Sequence, residues 1–251
     1  MTQLGTGLAV LQEILSSSPN THLNILCRTP SKLSQFSDKT TYPNINIIKG
    51  DIRDLSAVKS TLIDSATNLP VDIIVSSLGM ILLRSSTFSM KWSDPSICHD
   101  GIRTIFDALS SLEGEYGAEN VKTKVIAVST TGISKKGRDI PFSMIPLYHL
   151  GKTPHDDKKK MEEEIIKWAG GGKRWVVVRP SLLVDGEGKK GVVRVGWEIP
   201  VVGESSGLGK NGGKGEDRKE IGHIITGARL ENGSLRKLSR MAERVSGKDV
   251  L

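Results

Sequence analysis

The chain is poor in cysteine, in aromatic residues and in long apolar runs. Its 251 residues include 2 cysteines, and aromatic residues make up 4% of the total. Two cysteines are too few for a disulfide framework or a zinc site built of cysteines, and they fit a reducing, cytoplasmic setting. No segment reaches the roughly 20 apolar residues of a membrane-spanning helix, so no membrane partner is predicted.

The formal net charge of +7 raises the question of nucleic-acid binding. Such binding to single strands requires basic residues interleaved with aromatic residues, and the chain has no such cluster. The histidines lack the spacing of metal ligands, so no metal site is predicted. The composition therefore favours a small-molecule substrate over nucleic acid and leaves the oligomeric state open.

Short apolar runs alternate with segments of helical periodicity over the first 180 residues. The runs start near residues 23, 45, 71, 125 and 175, and each is four or five residues long. The intervening segments place apolar residues on one helix face, as in 8–15, 55–63, 102–109 and 161–168. This alternation predicts an α/β fold with a doubly wound parallel sheet, whose strands end at a common ligand-binding edge.

The pattern weakens after Pro180. The glycine-rich segment 203–215 is typical of a flexible loop, whereas residues 221–230 and 235–245 are predicted to form two closing helices. The sequence therefore predicts an α/β domain over residues 1–185 and a small irregular C-terminal region over residues 186–251.

Glycines at the start of the first predicted helix indicate a phosphate site. Gly5, Thr6 and Gly7 lead directly into that helix, whose N-terminus can bind a pyrophosphate through backbone amides. Arg28 ends the next strand, 21 residues after Gly7. An arginine at that point binds a ribose 2′-phosphate, which favours NADP over NAD. The alternative is that Arg28 is a solvated surface residue.

Residues at the ends of the later strands are further candidates for cofactor contacts. Asp51 and Ile52 are predicted to bind adenine, although Asp51 is alternatively a turn residue. Small residues at the end of the next strand leave room for the cofactor above the sheet. The predicted cofactor-binding set is Gly5, Thr6, Gly7, Arg28, Asp51, Ile52, Ser77, Leu78, Gly79, Ser129, Lys158 and Pro180.

Taken in order, these segments resemble the atypical short-chain dehydrogenase/reductase superfamily. The resemblance is to NAD(P)-binding proteins related to the nitrogen-metabolite-repression regulator and to flavin and biliverdin reductases. The matching segments are 5–7, 27–33, 50–54, 75–79, 128–130, 157–162 and 178–181. The resemblance implies a Rossmann-like domain over residues 1–185 that binds NADP(H). Residues 186–251 would then cover the substrate.

The start of the chain departs from the family pattern. Four residues precede Gly5, which is too short for the central strand that normally leads into the glycine loop, and the earlier glycine of the family is lacking. We therefore expect a sheet without its first central strand. The interpretation made from the sequence is that the chain is a truncated product or annotation.

Three residues are candidates for catalysis: Ser129, Tyr148 and Lys158. Tyr148 and Lys152 have the Tyr-x-x-x-Lys spacing of related enzymes, but Pro146, Gly151 and Pro154 disfavour a long helix there. Lys158 matches the family position from which a lysine reaches the nicotinamide ribose. The alternative is that Lys158 pairs with Glu162 on a solvated helix.

These features predict an NADP-dependent oxidoreductase that transfers hydride to or from a small carbonyl, quinone or flavin-like substrate. The family also contains cofactor-sensing regulators without turnover. A non-catalytic NADP(H) sensor or scaffold, or a truncated inactive reductase, is therefore the alternative.

Overall fold

A computed structural model describes residues 5–84, 90–134, 142, 151–169, 173–180, 196–198 and 222–228. Along the chain it contains α1 (Thr6–Ser17), β1 (Leu23–Cys27), a 3-10 helix (Pro30–Phe36), β2 (Ile45–Lys49), α2 (Leu55–Thr61), β3 (Ile73–Ser76), β4 (Leu82–Arg84), β5 (Met90–Trp92), α3 (Ile97–Tyr116), β6 (Lys124–Val128), α4 (Lys152–Trp168), β7 (Trp175–Pro180), β8 (Gly196–Glu198) and β9 (Gly222–Ala228).

Most of the strands are parallel. Strands β1 and β2 form a parallel pair, and a five-stranded sheet has the order β3-β6-β7-β9-β8, in which only β8 is antiparallel to its neighbour. Strands β4 and β5 form a separate antiparallel hairpin. Every residue of β7 is buried, as expected for an interior strand of a parallel sheet covered on both faces. The predicted Rossmann-like α/β class is confirmed.

The parallel strands of the described residues fall into two sheets, with the break between β1 and β3. This is where the sequence predicts a sheet without its first central strand. The edge of β3 beside the break carries apolar side chains in contact with solvent, since Ile73 is 54% and Val75 37% exposed.

Helices α2, α3 and α4 cover one face of the five-stranded sheet. Their apolar faces share one core with the strands, in which Ile102, Leu112 and Met161 are fully buried. The rings of Phe106 on α3 and Trp168 on α4 stack with centroids 4.5 Å apart. A second, smaller core lies between α1, the 3-10 helix and the β1–β2 pair. This arrangement leaves the carboxyl ends of the strands on a common edge.

The five strands and four helices predicted over residues 1–180 are all present, with boundaries shifted by a few residues. One prediction is wrong: residues 221–230 do not form a helix, because Gly222–Ala228 is a strand paired with β7. The unbroken β-branched run Ile224-Ile225-Thr226 explains the difference, since it suits a strand beside an open parallel edge. The predicted helix 235–245 and the loop 203–215 lie outside the described residues. None of the helices that are described is long and apolar enough to cross a bilayer.

Candidate functional site

The N-terminus of α1 lies against the carboxyl end of β3. Gly5 caps the helix in an extended conformation. A Cβ atom on Gly7 would lie 2.7 Å from Oγ of Ser77, so the close approach of helix and strand depends on a small residue at each position. The amides and the positive dipole end of this 12-residue helix thus reach the sheet edge at Ser77, as an anion site requires.

A third glycine brings two predicted adenine-side residues together. Gly101 lies in the second turn of α3, and a Cβ atom there would overlap the side chains of Leu78 and Ile52. Both side chains also pack against the main core. The loop after β2 and the loop after β3 therefore meet at Gly101. Gly79, by contrast, faces open space, because a Cβ atom on it would meet nothing within 4 Å.

Arg28 and Arg53 follow neighbouring strands but differ in their partners. Arg53 donates two hydrogen bonds to Asp94, at 2.6 and 2.7 Å, and two to Asp100, at 2.9 and 2.8 Å. Arg28 is exposed, and within the part of the chain that the structure describes its guanidinium forms no hydrogen bond or ion pair. Arg28 is therefore available to bind an anion, whereas the charge of Arg53 is already compensated.

The carboxylates around Arg53 are stabilised in their charged form. The hydrogen bonds from Arg53 lower the pKa of Asp94, and the positive charge of Arg28 adds to this shift. For Asp100, partial burial alone would raise the pKa, but hydrogen bonds from Ser96 and Arg53 outweigh it and the pKa is lowered. The negative charges near Arg28 thus belong to a network that Arg53 already neutralises.

Asp51 holds a turn at the carboxyl end of β2. Its Oδ1 accepts a hydrogen bond from the backbone N–H of Arg53 at 3.0 Å, and its carbonyl oxygen accepts one from Asp54 at 3.0 Å. The turn role considered from the sequence is therefore confirmed. Contact between Asp51 and adenine stays a prediction.

Lys158 ties together the carboxyl ends of two strands. Its Nζ donates hydrogen bonds to the carbonyl oxygens of Leu78 and Val128, both at 2.5 Å. The alternative of a solvated pair with Glu162 is wrong, because Glu162 is buried and accepts hydrogen bonds from Arg179 at 2.9 and 2.5 Å. The Lys158 ammonium therefore lies at the strand ends, where the sequence places the nicotinamide side of the site.

Asp157, the residue before Lys158, joins α4 to α3. Its carboxylate is 2% exposed and accepts hydrogen bonds from the backbone N–H groups of Cys98 at 2.9 Å and His99 at 3.0 Å. Burial raises the pKa of the Cys98 thiol to about 12, so Cys98 stays protonated 3.4 Å from the Leu78 carbonyl oxygen. Sequence reasoning missed this cap, although the helical spacing of residues 157, 161 and 165 was a usable signal.

Ser129 presents a buried hydroxyl at the end of β6. The residue is 4% exposed, and its Oγ has no hydrogen-bond partner among the described residues. The N–H group of Ser129 donates to the carbonyl oxygen of Val178 at 2.7 Å, which fixes its backbone. Because buried polar groups are rarely left unpaired, this hydroxyl is suited to bind a ligand group.

The other predicted site residues occupy the same edge or lie outside the described residues. Thr6 begins α1, and Pro180 ends β7 and is buried. The carbonyl oxygen of Pro180 accepts a hydrogen bond from Thr131, which connects the ends of β6 and β7. Tyr148 lies outside the described residues, so its catalytic role stays a prediction.

The fold and this edge define a Rossmann-type nucleotide-binding protein of the reductase-like kind. A family model described as NAD(P)H-binding matches residues 5–206, which is most of the chain. The protein belongs to this NAD(P)H-binding family. Its membership confirms the expected cofactor class and the resemblance to the atypical short-chain reductases.

Individual relatives agree with this assignment. The chain is 40% identical over 199 residues to reductase pytE of Aspergillus terreus, covering 71% of this chain and 74% of the relative. It is 29% identical over 212 residues to oxidase pynE of Aspergillus niger, covering 70% and 75%. A solved structure of NADPH-bound carbonyl reductase from chicken fatty liver superposes with a TM-score of 0.51 at 16% identity, over 70% of this chain and 71% of that one. At that identity the last likeness shows the fold alone.

The buried pair of Arg179 and Glu162 yields a stability prediction. We expect Glu162→Gln to lower the free energy of unfolding by about 3 kcal/mol, because it removes the negative partner of a buried arginine. The matched control is Glu164→Gln on the same helix, whose partner Lys167 is 70% exposed, and it should cost no more than about 0.5 kcal/mol. Urea unfolding of the two variants measures both values, and equal losses would contradict the assignment.

Proposed function

We propose that the protein is an NADPH-dependent reductase that transfers hydride to a small carbonyl, quinone or flavin-like substrate. The observation that carries the proposal is the position of Lys158 and Ser129 at one edge of the sheet. The Lys158 ammonium contacts the Val128 carbonyl, one peptide unit from the unpaired Ser129 hydroxyl. A cation and a free hydroxyl at the nicotinamide side of a dinucleotide site are groups that carbonyl reduction requires.

The residues at this edge fit the dinucleotide along its length. The amides at the start of α1 would bind the pyrophosphate, and Gly7 and Ser77 would admit it. Arg28 would bind the 2′-phosphate as a charge-assisted pair. The apolar contact between Ile52 and Leu78 would support the adenine side, with open space above Gly79.

Each polar group then has a defined task. When bound, NADPH supplies the hydride that forms the new C–H bond at the carbonyl carbon, and the carbonyl oxygen takes up a proton. The Lys158 ammonium has three N–H donors, of which two bind backbone carbonyls, so one is left for a ribose hydroxyl. The Ser129 hydroxyl would donate to the substrate oxygen, and Tyr148 is the candidate proton donor.

Two further observations support a cytoplasmic reductase. The curated relative with 40% identity is named a reductase. Cys27 and Cys98 are both free thiols, which fits a reducing compartment. The alternative of a cofactor sensor without turnover predicts tight NADPH binding and no oxidation of NADPH by any carbonyl, quinone or flavin.

Arg28 sets the preference for NADPH in this proposal. We expect Arg28→Ala to weaken NADPH binding by about 10- to 100-fold, because it removes a charge-assisted hydrogen bond, and to leave NADH binding unchanged. Arg174→Ala, at the amino end of β7 and therefore at the opposite edge of the sheet, is the control and should change neither affinity. Calorimetric titration measures all the constants, and an unchanged preference in Arg28→Ala would refute the assignment.

Ser129 separates a ligand-binding role from a structural one. We expect Ser129→Ala to lower kcat for NADPH oxidation by about 100-fold while leaving the unfolding free energy equal or higher, because the lost hydroxyl has no partner in the described residues. Ser76→Ala removes an equally buried, unpaired hydroxyl from β3 and should raise stability without lowering kcat. Steady-state kinetics and urea unfolding test both variants. Equal kinetics for the two would remove Ser129 from the mechanism.

A further inference from the structure

Exposed apolar side chains concentrate on one short segment of the chain. Eight large hydrophobic residues are exposed among those described, and five of them lie within residues 73–83. Three are consecutive: Ile81 is 54%, Leu82 44% and Leu83 50% exposed. Large apolar patches on a soluble protein mark binding surfaces more often than single exposed residues do.

These three residues form the first half of the β4–β5 hairpin. Leu82 pairs with Trp92 and Leu83 with Lys91, so the two leucines point to opposite faces of the hairpin. No rotation of the hairpin against the sheet would bury both leucines. The base of the hairpin is nevertheless well defined, because Ile81 and Ser93 exchange hydrogen bonds of 2.9 and 2.8 Å.

The chain connection places this hairpin beside the reactive end of the candidate site. The carbonyl oxygen of Leu78 accepts a hydrogen bond from Lys158, which fixes Leu78 at the edge of the sheet. Three residues of extended chain span at most about 11 Å, so the backbone of Ile81 lies within that distance of Leu78. An apolar wall therefore begins within one substrate length of the Lys158 ammonium.

We propose that residues 81–83, named here the apolar wall, bind the apolar body of the substrate. The substrate is then a carbonyl compound or quinone whose reducible group lies at one end of a hydrophobic aliphatic or aromatic portion. This inference rests on the proposed reductase function. The polar groups Lys158 and Ser129 face the reducible group, and Leu82 and Leu83 provide area for the rest of the molecule.

The test uses a homologous series of 2-alkanones from 2-butanone to 2-decanone, bound to the complex of the protein with NADP+. This ketone complex does not react, so calorimetry measures affinity without turnover. We expect the affinity of the wild-type protein to rise by about threefold for each added methylene group in contact with the wall. A series with no dependence on chain length would overturn the inference.

A double variant, Leu82→Ser with Leu83→Ser, identifies the surface responsible. It should reduce the increase per methylene at least twofold, while the affinity for NADP+ and the melting temperature stay unchanged, because both side chains are exposed. Leu69→Ser is the matched control, since Leu69 is 55% exposed on a loop between α2 and β3, and it should retain the full dependence. An unchanged dependence in the double variant would overturn the inference.

Two other outcomes are also decisive. Failure of the wild-type protein to bind NADP+ would refute the proposed function itself, rather than the substrate class. Sedimentation of the wild-type protein as a dimer that the double variant dissociates would show that a second copy covers the wall, and would overturn the assignment to substrate.

Discussion

The inner face of α4 is the constraint on which the rest of the edge depends. Within two turns this helix carries three charged side chains that point into the protein. Asp157 caps α3, Lys158 binds the carbonyl oxygens at the ends of the loops after β3 and β6, and Glu162 pairs with Arg179 on β7. Because each charge finds a partner on a different element, the helix can sit in one position only, and the strand ends are held relative to one another.

The distribution of charge along the edge then defines where a ligand can bind. Arg53 is compensated by Asp94 and Asp100, so it stabilises the loop after β2 and contributes little field to solvent. Arg28 lacks such a partner in the described residues, and Ser129 holds a buried hydroxyl that nothing in them satisfies. Groups left uncompensated at the carboxyl edge are the ones that a phosphorylated dinucleotide and its substrate would satisfy.

The strands of the first 180 residues could be predicted from sequence because each is a short apolar run between turn residues, and Arg28, Ile52 and Lys158 followed from their places at strand and helix ends. The tertiary partners could not. Asp157 reads as a polar helix residue until α3 is placed against it, and the exposure of Leu82 depends on a hairpin set by pairing with Trp92. The run at 222–228 was assigned to a helix because its pairing with β7 is a long-range contact.

The central claim is that a dinucleotide binds along the carboxyl edge, and hydrogen-exchange mass spectrometry with and without NADPH tests it most directly. The account predicts slower exchange in the segments that end at this edge, around residues 5–8, 28–30, 50–53, 77–80 and 129–131. It predicts no change at the opposite edge, where His22, Asn44 and Asp64 line a polar cavity of about 270 Å³ at the amino ends of β1 and β2. Protection confined to that cavity, or no protection anywhere at saturating NADPH, would contradict it.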